Sequence, residues 1–176
     1  MTPDVDAAAR FLAANARVLD RRRFERLFSG GDARPVRDAV AAFRNSDGGF
    51  GHALEPDGRT PASQPAAVMM ALDTLDEADA WDEELVAGAC AWLAANAAAE
   101  GEVHTPLDFA PNPDSIARRL FDEATIEAHL DHLARGQADD GGWTFNWLAW
   151  SPVAASEWRG SLTVDALRTL RASGRL

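Results

Sequence analysis

Three polar side chains follow a glycine-rich turn in the first third of the chain. The segment "NSDGGFGHALEPD" (45–57) carries His52, Glu55 and Asp57 directly behind Asp-Gly-Gly-Phe. An imidazole and two carboxylates at this spacing can exchange protons with a substrate, so we treat them as candidates for general acid–base catalysis. The alternative interpretation is that the segment is only a connection between two helices.

Further titratable groups lie in the second half of the chain. "HTPLDF" places His104 and Asp108 in a Pro-rich loop, where the pair is a candidate for acid–base catalysis or for hydrogen bonds that stiffen the loop. His129 and His132 are three residues apart on a predicted helix and could face one metal ion. Because no third ligand matches them, we predict two helix-surface histidines, no metal and no cofactor.

Aromatic residues are densest after the second glycine-rich turn. Such side chains can line an apolar pocket or stabilise a cation through their ring faces, and packing between helices is the alternative interpretation. Glu157 and Arg159, before the last helix, are predicted to tether it. The candidate ligand-binding residues are Trp143, Phe145, Trp147, Trp150 and Trp158.

Composition limits the classes of partner. The 176 residues suit a single domain, 1–176, with a substantial core. The formal net charge of −11 repels phosphate backbones and anionic membranes, so nucleic acid is excluded as a partner. The only cysteine, Cys90, lies among Ala and Trp and is predicted to be a small buried residue. No signal peptide and no membrane-spanning run is recognisable, so we expect a cytoplasmic protein.

Apolar residues recur at helical spacing, and strict period-two alternation is missing, which predicts an all-α fold. We expect the first helix to start at Thr2-Pro3 and to continue to Gly30-Gly31. The remaining helices are predicted over Pro35 to about Asn45, Ser63–Leu75, Leu85–Leu93, Ile126–Leu133 and Leu162–Leu170.

A repeat organises the chain. Two segments align without a gap: "VAAFRNSDGGF" (40–50) and "LARGQADDGGW" (133–143). A third, "LAANAAAEGEV" (93–103), matches their spacing of apolar and Gly residues weakly. The predicted turns are near 45–51, 137–143 and 97–103. Gly can adopt the left-handed conformation that ends a helix, and the amide of Gln137 can bond backbone groups at a neighbouring helix end. The predicted structural residues of the repeat are Gly48, Gly49, Phe50, Gln137, Gly141, Gly142 and Trp143.

The repeat resembles that of a known superfamily. Gln137-x3-Gly141-x-Trp143 is similar to the QW repeat of class II terpene cyclases such as squalene–hopene cyclase, and "DGGFG" is similar to turns of protein prenyltransferase β-subunits. "DGGFGHALEPD", "HTPLDFAPNPDS" and "EWRGSLTVDALRTLRASGRL" resemble bacterial prenyltransferase and squalene-oxidase repeat proteins. The resemblance implies helical hairpins in an α/α-toroid. Because this chain is shorter between Ala94 and Gly101 than those relatives, we expect a partial, open ring.

The catalytic residues of those families are missing. Class II cyclases use the middle Asp of Asp-x-Asp-Asp as the acid, and here Gln137 stands where the first Asp would be, before Asp139 and Asp140. Prenyltransferases bind zinc through Asp, Cys and His, and Cys90 has no such setting. The resemblance therefore implies the scaffold without either catalytic apparatus.

Three functions remain open. The first is a repeat protein that binds a hydrophobic small molecule, such as an isoprenoid, or a protein partner. The second is a cyclase-like or prenyltransferase-like enzyme with an unusual acid, drawn from Glu55, Asp57, His104 or Asp108. The third is a structural remnant in which two partial rings cover each other as a homodimer.

Overall fold

The computed structural model describes residues 2–96 and 122–176 and contains seven α-helices within those ranges. It has no β-strand there, only an isolated bridge between Arg44 and Phe50. The predicted all-α fold is confirmed. The helices are α1 (Val5–Asn15), α2 (Val18–Phe28), α3 (Arg34–Ala41), α4 (Pro65–Glu77), α5 (Glu83–Asn96), α6 (Glu123–Arg135) and α7 (Pro152–Ala172).

The chain divides into two compact units. Unit 1 comprises residues 1–20, 105–148 and 156–176, and unit 2 comprises residues 21–104 and 149–155. The prediction of one domain over 1–176 stays a prediction. The core of unit 1 includes Phe11, Leu12, Leu19, Trp143, Leu167 and Leu170, and that of unit 2 includes Phe50, Leu54, Val36, Val68, Leu75 and Trp92.

The predicted first helix is wrong in two respects. Asp4, not Thr2, caps it, since the Asp4 side chain accepts the N–H of Ala7. The chain also breaks at Ala16, which is extended (φ −86°, ψ 157°). The hydroxyl of Ser156 donates to the exposed carbonyl of Asn15. Sequence periodicity does not reveal this break, because the apolar spacing continues across it.

Other helix ends follow ordinary capping chemistry. α3 ends at Ala41, before the predicted Asn45, because the N–H groups of Phe43 and Arg44 bond carbonyls three residues back and tighten the chain. After α4, Asp79 takes a left-handed conformation (φ 49°) and the N–H of Ala80 bonds Leu75 O at 2.8 Å.

Unit 2 contains a buried ion pair between α2 and α4. The guanidinium of Arg23 donates to both carboxylate oxygens of Glu77, and both side chains are almost fully buried. Arg26 Nε donates to Ala78 O at 2.8 Å, which satisfies a carbonyl at the end of α4. Within the described ranges, no helix is both long and apolar enough to cross a membrane.

Candidate functional site

The two glycine-rich turns have the same backbone structure. Gly48 and Gly141 are left-handed, with φ of 90° and 91°, which is the conformation that requires glycine. Equivalent hydrogen bonds close each turn: Asn45 N–H to Gly49 O and Ala138 N–H to Gly142 O, both at 2.8 Å. The sequence repeat is therefore also a repeat of local structure.

Each turn packs against a neighbouring helix so closely that no side chain fits. A Cβ on Gly141 would lie 2.3 Å from Ala7 O of α1, and a Cβ on Gly48 would lie 2.9 Å from Gly88 O of α5. The second glycines of the turns pack one helical turn further along, where Gly142 meets Phe11 of α1. α1 thus contacts the turn of unit 1 as α5 contacts that of unit 2.

The amide of Gln137 fastens the turn of unit 1 to the start of α1. Gln137 Oε1 accepts the N–H of Asp4 at 2.7 Å, and Gln137 Nε2 donates to Asp4 O at 2.8 Å and to Gly141 O at 2.9 Å. The predicted bonds to a neighbouring helix end are present. The equivalent residue in unit 2, Arg44, instead pairs with Glu84 in the first turn of α5 at 2.9 Å.

Trp143 and Asp140 complete the turn of unit 1. Trp143 is buried, and its Nε1–H donates to Leu133 O at 2.8 Å, so the ring folds back over the end of α6. Arg159 donates to both oxygens of Asp140 at 2.8 Å and lies 4.5 Å above the Phe11 ring. The hydrogen bonds from Arg159 hold the pKa of the Asp140 carboxyl below its ordinary value.

The acid of the unit 2 turn is Asp47, which accepts a different set of donors. Ser63 Oγ donates to it at 2.8 Å, the N–H of Gly49 at 3.0 Å and the indole N–H of Trp92 at 3.1 Å. These bonds, first of all the one from the Ser63 hydroxyl, lower the pKa of Asp47. Neither Ser63 nor Trp92 was singled out from the sequence, because their partners are distant along the chain.

His52 belongs to this hydrogen-bond network. Its Nε2 lies 2.9 Å from Asn45 Oδ1, while Asn45 Nδ2 donates to Pro61 O and Ser63 Oγ. Since a carbonyl oxygen only accepts, Asn45 must present its own oxygen to the ring, and His52 donates from Nε2. His52 and Ala53 are both left-handed, with φ of 55° and 62°.

Glu55 and Asp57 take part in a turn of their own. The N–H of Gly58 bonds Glu55 O at 3.0 Å and closes the turn "EPDG". Glu55 Oε1 accepts the N–H of Asp57 at 3.3 Å, and Asp57 Oδ1 accepts the N–H of Trp150 at 2.7 Å. The three predicted catalytic residues of this segment, His52, Glu55 and Asp57, therefore each hold the 45–64 connection or the backbone of Trp150 in place.

The predicted aromatic cluster is only partly assembled. Phe145 and Trp147 stack with ring centroids 4.4 Å apart, and Trp158 meets Trp147 edge-on at 5.5 Å. Trp147 is 45% exposed and the adjacent Leu148 is 96% exposed. Trp143 is buried in the core of unit 1, and Trp150 is assigned to unit 2; among the described residues, neither ring is found stacked or edge-on against the other three.

The predicted cysteine and histidine candidates do not form a site among the residues that the structure describes. Cys90 is exposed on α5, so the prediction of a buried thiol is wrong; α5 is apolar around much of its circumference and does not bury this side. His129 and His132 are both exposed on α6, and no group of three metal-binding side chains occurs among the residues that the structure describes. His104, Asp108 and the weak turn at 97–103 lie outside the described residues.

Unit 1 also has a cavity of about 430 Å³ near the end of α6. None of the residues predicted to form a site lines it. Its lining residues are Thr2, Asp131, Ala134, Arg135, Gly174, Arg175 and Leu176.

Comparisons of the chain with protein-family models, with curated proteins and with solved structures found no match.

Proposed function

We propose that the chain is a helical-repeat protein of the α/α-toroid type that binds a hydrophobic ligand on the surface formed by Phe145, Trp147 and Trp158. The repeat part of the proposal is supported by the two matching turns and by the equivalent packing of α1 and α5 against them.

The binding part is supported by one observation, which is that Trp147 contacts both Phe145 and Trp158 and still remains 45% exposed. Aromatic rings exposed together offer apolar area at little cost in side-chain entropy. Residues 141–148, which carry Phe145 and Trp147, include no Asp, Glu or Arg. This part of the surface suits an uncharged apolar molecule, such as an isoprenoid or an apolar protein segment.

The hydrogen bonds of the 45–64 connection favour binding over turnover. His52 Nε2, Glu55 Oε1 and Asp57 Oδ1 all hold nearby groups of the protein. An enzyme with an unusual acid is the competing proposal. It gains support if incubation with an isoprenoid diphosphate yields a cyclised or transferred product that disappears in Glu55→Gln.

Titration with farnesol, followed by tryptophan fluorescence, tests the binding proposal. Trp147→Ala should weaken binding about tenfold, because an aromatic contact contributes roughly 1.4 kcal/mol. Trp81→Ala is the matched control, since Trp81 is also an exposed indole, 66% accessible, but lies in unit 2. The proposal fails if wild-type protein gives no saturable change or if both variants bind farnesol equally.

A further inference from the structure

A cation lies close to the aromatic surface of unit 1. Arg159 directly follows Trp158 in α7, and its Nε donates to Trp143 O at 3.2 Å. Trp143 is two residues before Phe145, and a stretch of that length spans at most about 7 Å. The Arg159 side chain is 26% exposed. A ligand on the aromatic surface therefore comes close to an accessible guanidinium.

Arg159 is already paired on both of its hydrogen-bonding edges. Its two Nη atoms donate to the two carboxylate oxygens of Asp140 at 2.8 Å, which fills the edge of the guanidinium that matches a phosphate group. The Nε edge is used by Trp143 O, and the group lies over the ring of Phe11. The lowered pKa of Asp140 keeps its carboxylate ionised at neutral pH. The positive charge of Arg159 is thus compensated within the protein.

The neighbouring sequence adds no further positive charge. Residues 141–158 include no Arg, and the chain contains no Lys. The residue on the other side of Trp158 is an acid, Glu157, and the whole chain has a formal net charge of −11. An anionic ligand that approaches this surface is therefore repelled by the protein as a whole and meets no unpaired cation in the adjoining sequence.

We propose that Asp140 determines the specificity of the aromatic surface, because it engages the Arg159 guanidinium and so makes the surface select uncharged isoprenoids over isoprenoid diphosphates. This inference rests on the proposed function, since it concerns the ligand of the same surface. A diphosphate loses hydration on binding, and a cation that is already paired does not compensate for that loss. An isoprenoid alcohol has no charge to desolvate, so its apolar chain alone decides its affinity.

Fluorescence titration of wild-type protein with farnesol, farnesyl diphosphate and inorganic diphosphate tests this selectivity. Farnesol should bind at least roughly tenfold more tightly than farnesyl diphosphate, because the diphosphate is repelled and unpaired. Inorganic diphosphate should neither produce a saturable change nor displace farnesol. Both isoprenoids are used below the concentrations at which they aggregate.

Asp140→Asn keeps the size of the side chain and removes the charge that compensates Arg159. It should strengthen the binding of farnesyl diphosphate roughly tenfold, because charge-assisted hydrogen bonds from Arg159 become available to the ligand. Asp139→Asn is the matched control, since it changes the net charge equally at the adjacent exposed carboxylate, and it should bind as wild type does. The gain should disappear when Asp140→Asn is combined with Arg159→Gln, which removes the guanidinium.

Circular dichroism checks that each variant is folded, and the selectivity of wild-type protein is measured independently of the variants. The inference is overturned if wild-type protein binds farnesyl diphosphate as tightly as farnesol, if folded Asp140→Asn shows no gain, or if Asp139→Asn shows the same gain. Each of these results leaves the proposed function standing, provided that farnesol binds saturably and Trp147→Ala weakens it. Absence of farnesol binding to wild-type protein refutes both proposals.

Discussion

Replacing Gln137 with alanine tests whether the repeat turn is held by its amide. The substitution deletes three hydrogen bonds, two to the backbone of Asp4 and one to Gly141 O. An intramolecular hydrogen bond contributes about 0.5–1.5 kcal/mol. Two of these bonds are exposed, so values near the lower end apply and the free energy of unfolding should fall by about 2 kcal/mol. For a chain of this size that is a decrease in Tm of roughly 4–8 °C.

Gln64→Ala is the matched control for this experiment. Gln64 precedes α4, and its side chain makes no capping hydrogen bond, so its removal should change the free energy of unfolding by less than about 0.5 kcal/mol. Gln137→Glu sharpens the test, because a carboxylate keeps the acceptor for Asp4 N–H and turns the two donated bonds into repulsions. Urea denaturation at pH 7 should rank Gln137→Glu as the least stable variant. Equal stability of Gln137→Ala and Gln64→Ala would refute the reasoning.

Two further predictions concern the same turn. Gly141→Ala should destabilise unit 1 by more than about 3 kcal/mol, because it combines left-handed strain with a Cβ 2.3 Å from a backbone oxygen. Gly174 is also left-handed but has nothing within 4 Å of its Cβ position, so Gly174→Ala should cost only about 1–2 kcal/mol. If thermal unfolding shows equal stability for the two variants, close packing at Gly141 is not the cause. The pKa of Asp140 is lowered by Arg159, so the carboxylate stabilises the fold above the unfolded pKa of about 3.9, and this contribution is lost as the pH falls through the lower folded pKa. Asp140→Asn should therefore be less stable than wild type at pH 7, and the difference in free energy of unfolding should shrink below about pH 4. A difference that does not change with pH would exclude this linkage.

Local chemistry explains why the repeat could be predicted. A left-handed residue after a helix favours Gly, and an Asp before two glycines can accept the N–H of the second, as Asp47 and Asp140 both do. The fold-back of Trp143 onto α6 also needs only neighbouring residues. These features depend on short stretches of chain, which the sequence displays directly.

The candidate site could be predicted less well, because its members come from distant parts of the chain. Glu55 was predicted as a candidate for proton transfer, whereas in the structure its Oε1 accepts the N–H of Asp57, and its Oε2 and Gln64 Oε1 both lie close to Gly58. Periodicity gave Gln64 no role, since nothing near it in sequence reveals what it faces. Likewise, apolar composition placed Cys90 in the core, although the face of α5 that carries it is exposed.

The amino-acid sequence by itself determined the all-α character and the conformation of the two turns, because helix periodicity and the backbone freedom of Gly act over a few residues. Only the tertiary structure decided where the first helix breaks and which helix meets each turn. Packing of α1 against Gly141 joins the start of the chain to its last third. Local conformational preferences cannot specify a contact between residues so far apart in the sequence. Its specificity comes from close fit, the absence of a side chain at Gly141 and the hydrogen bonds of Gln137 with Asp4.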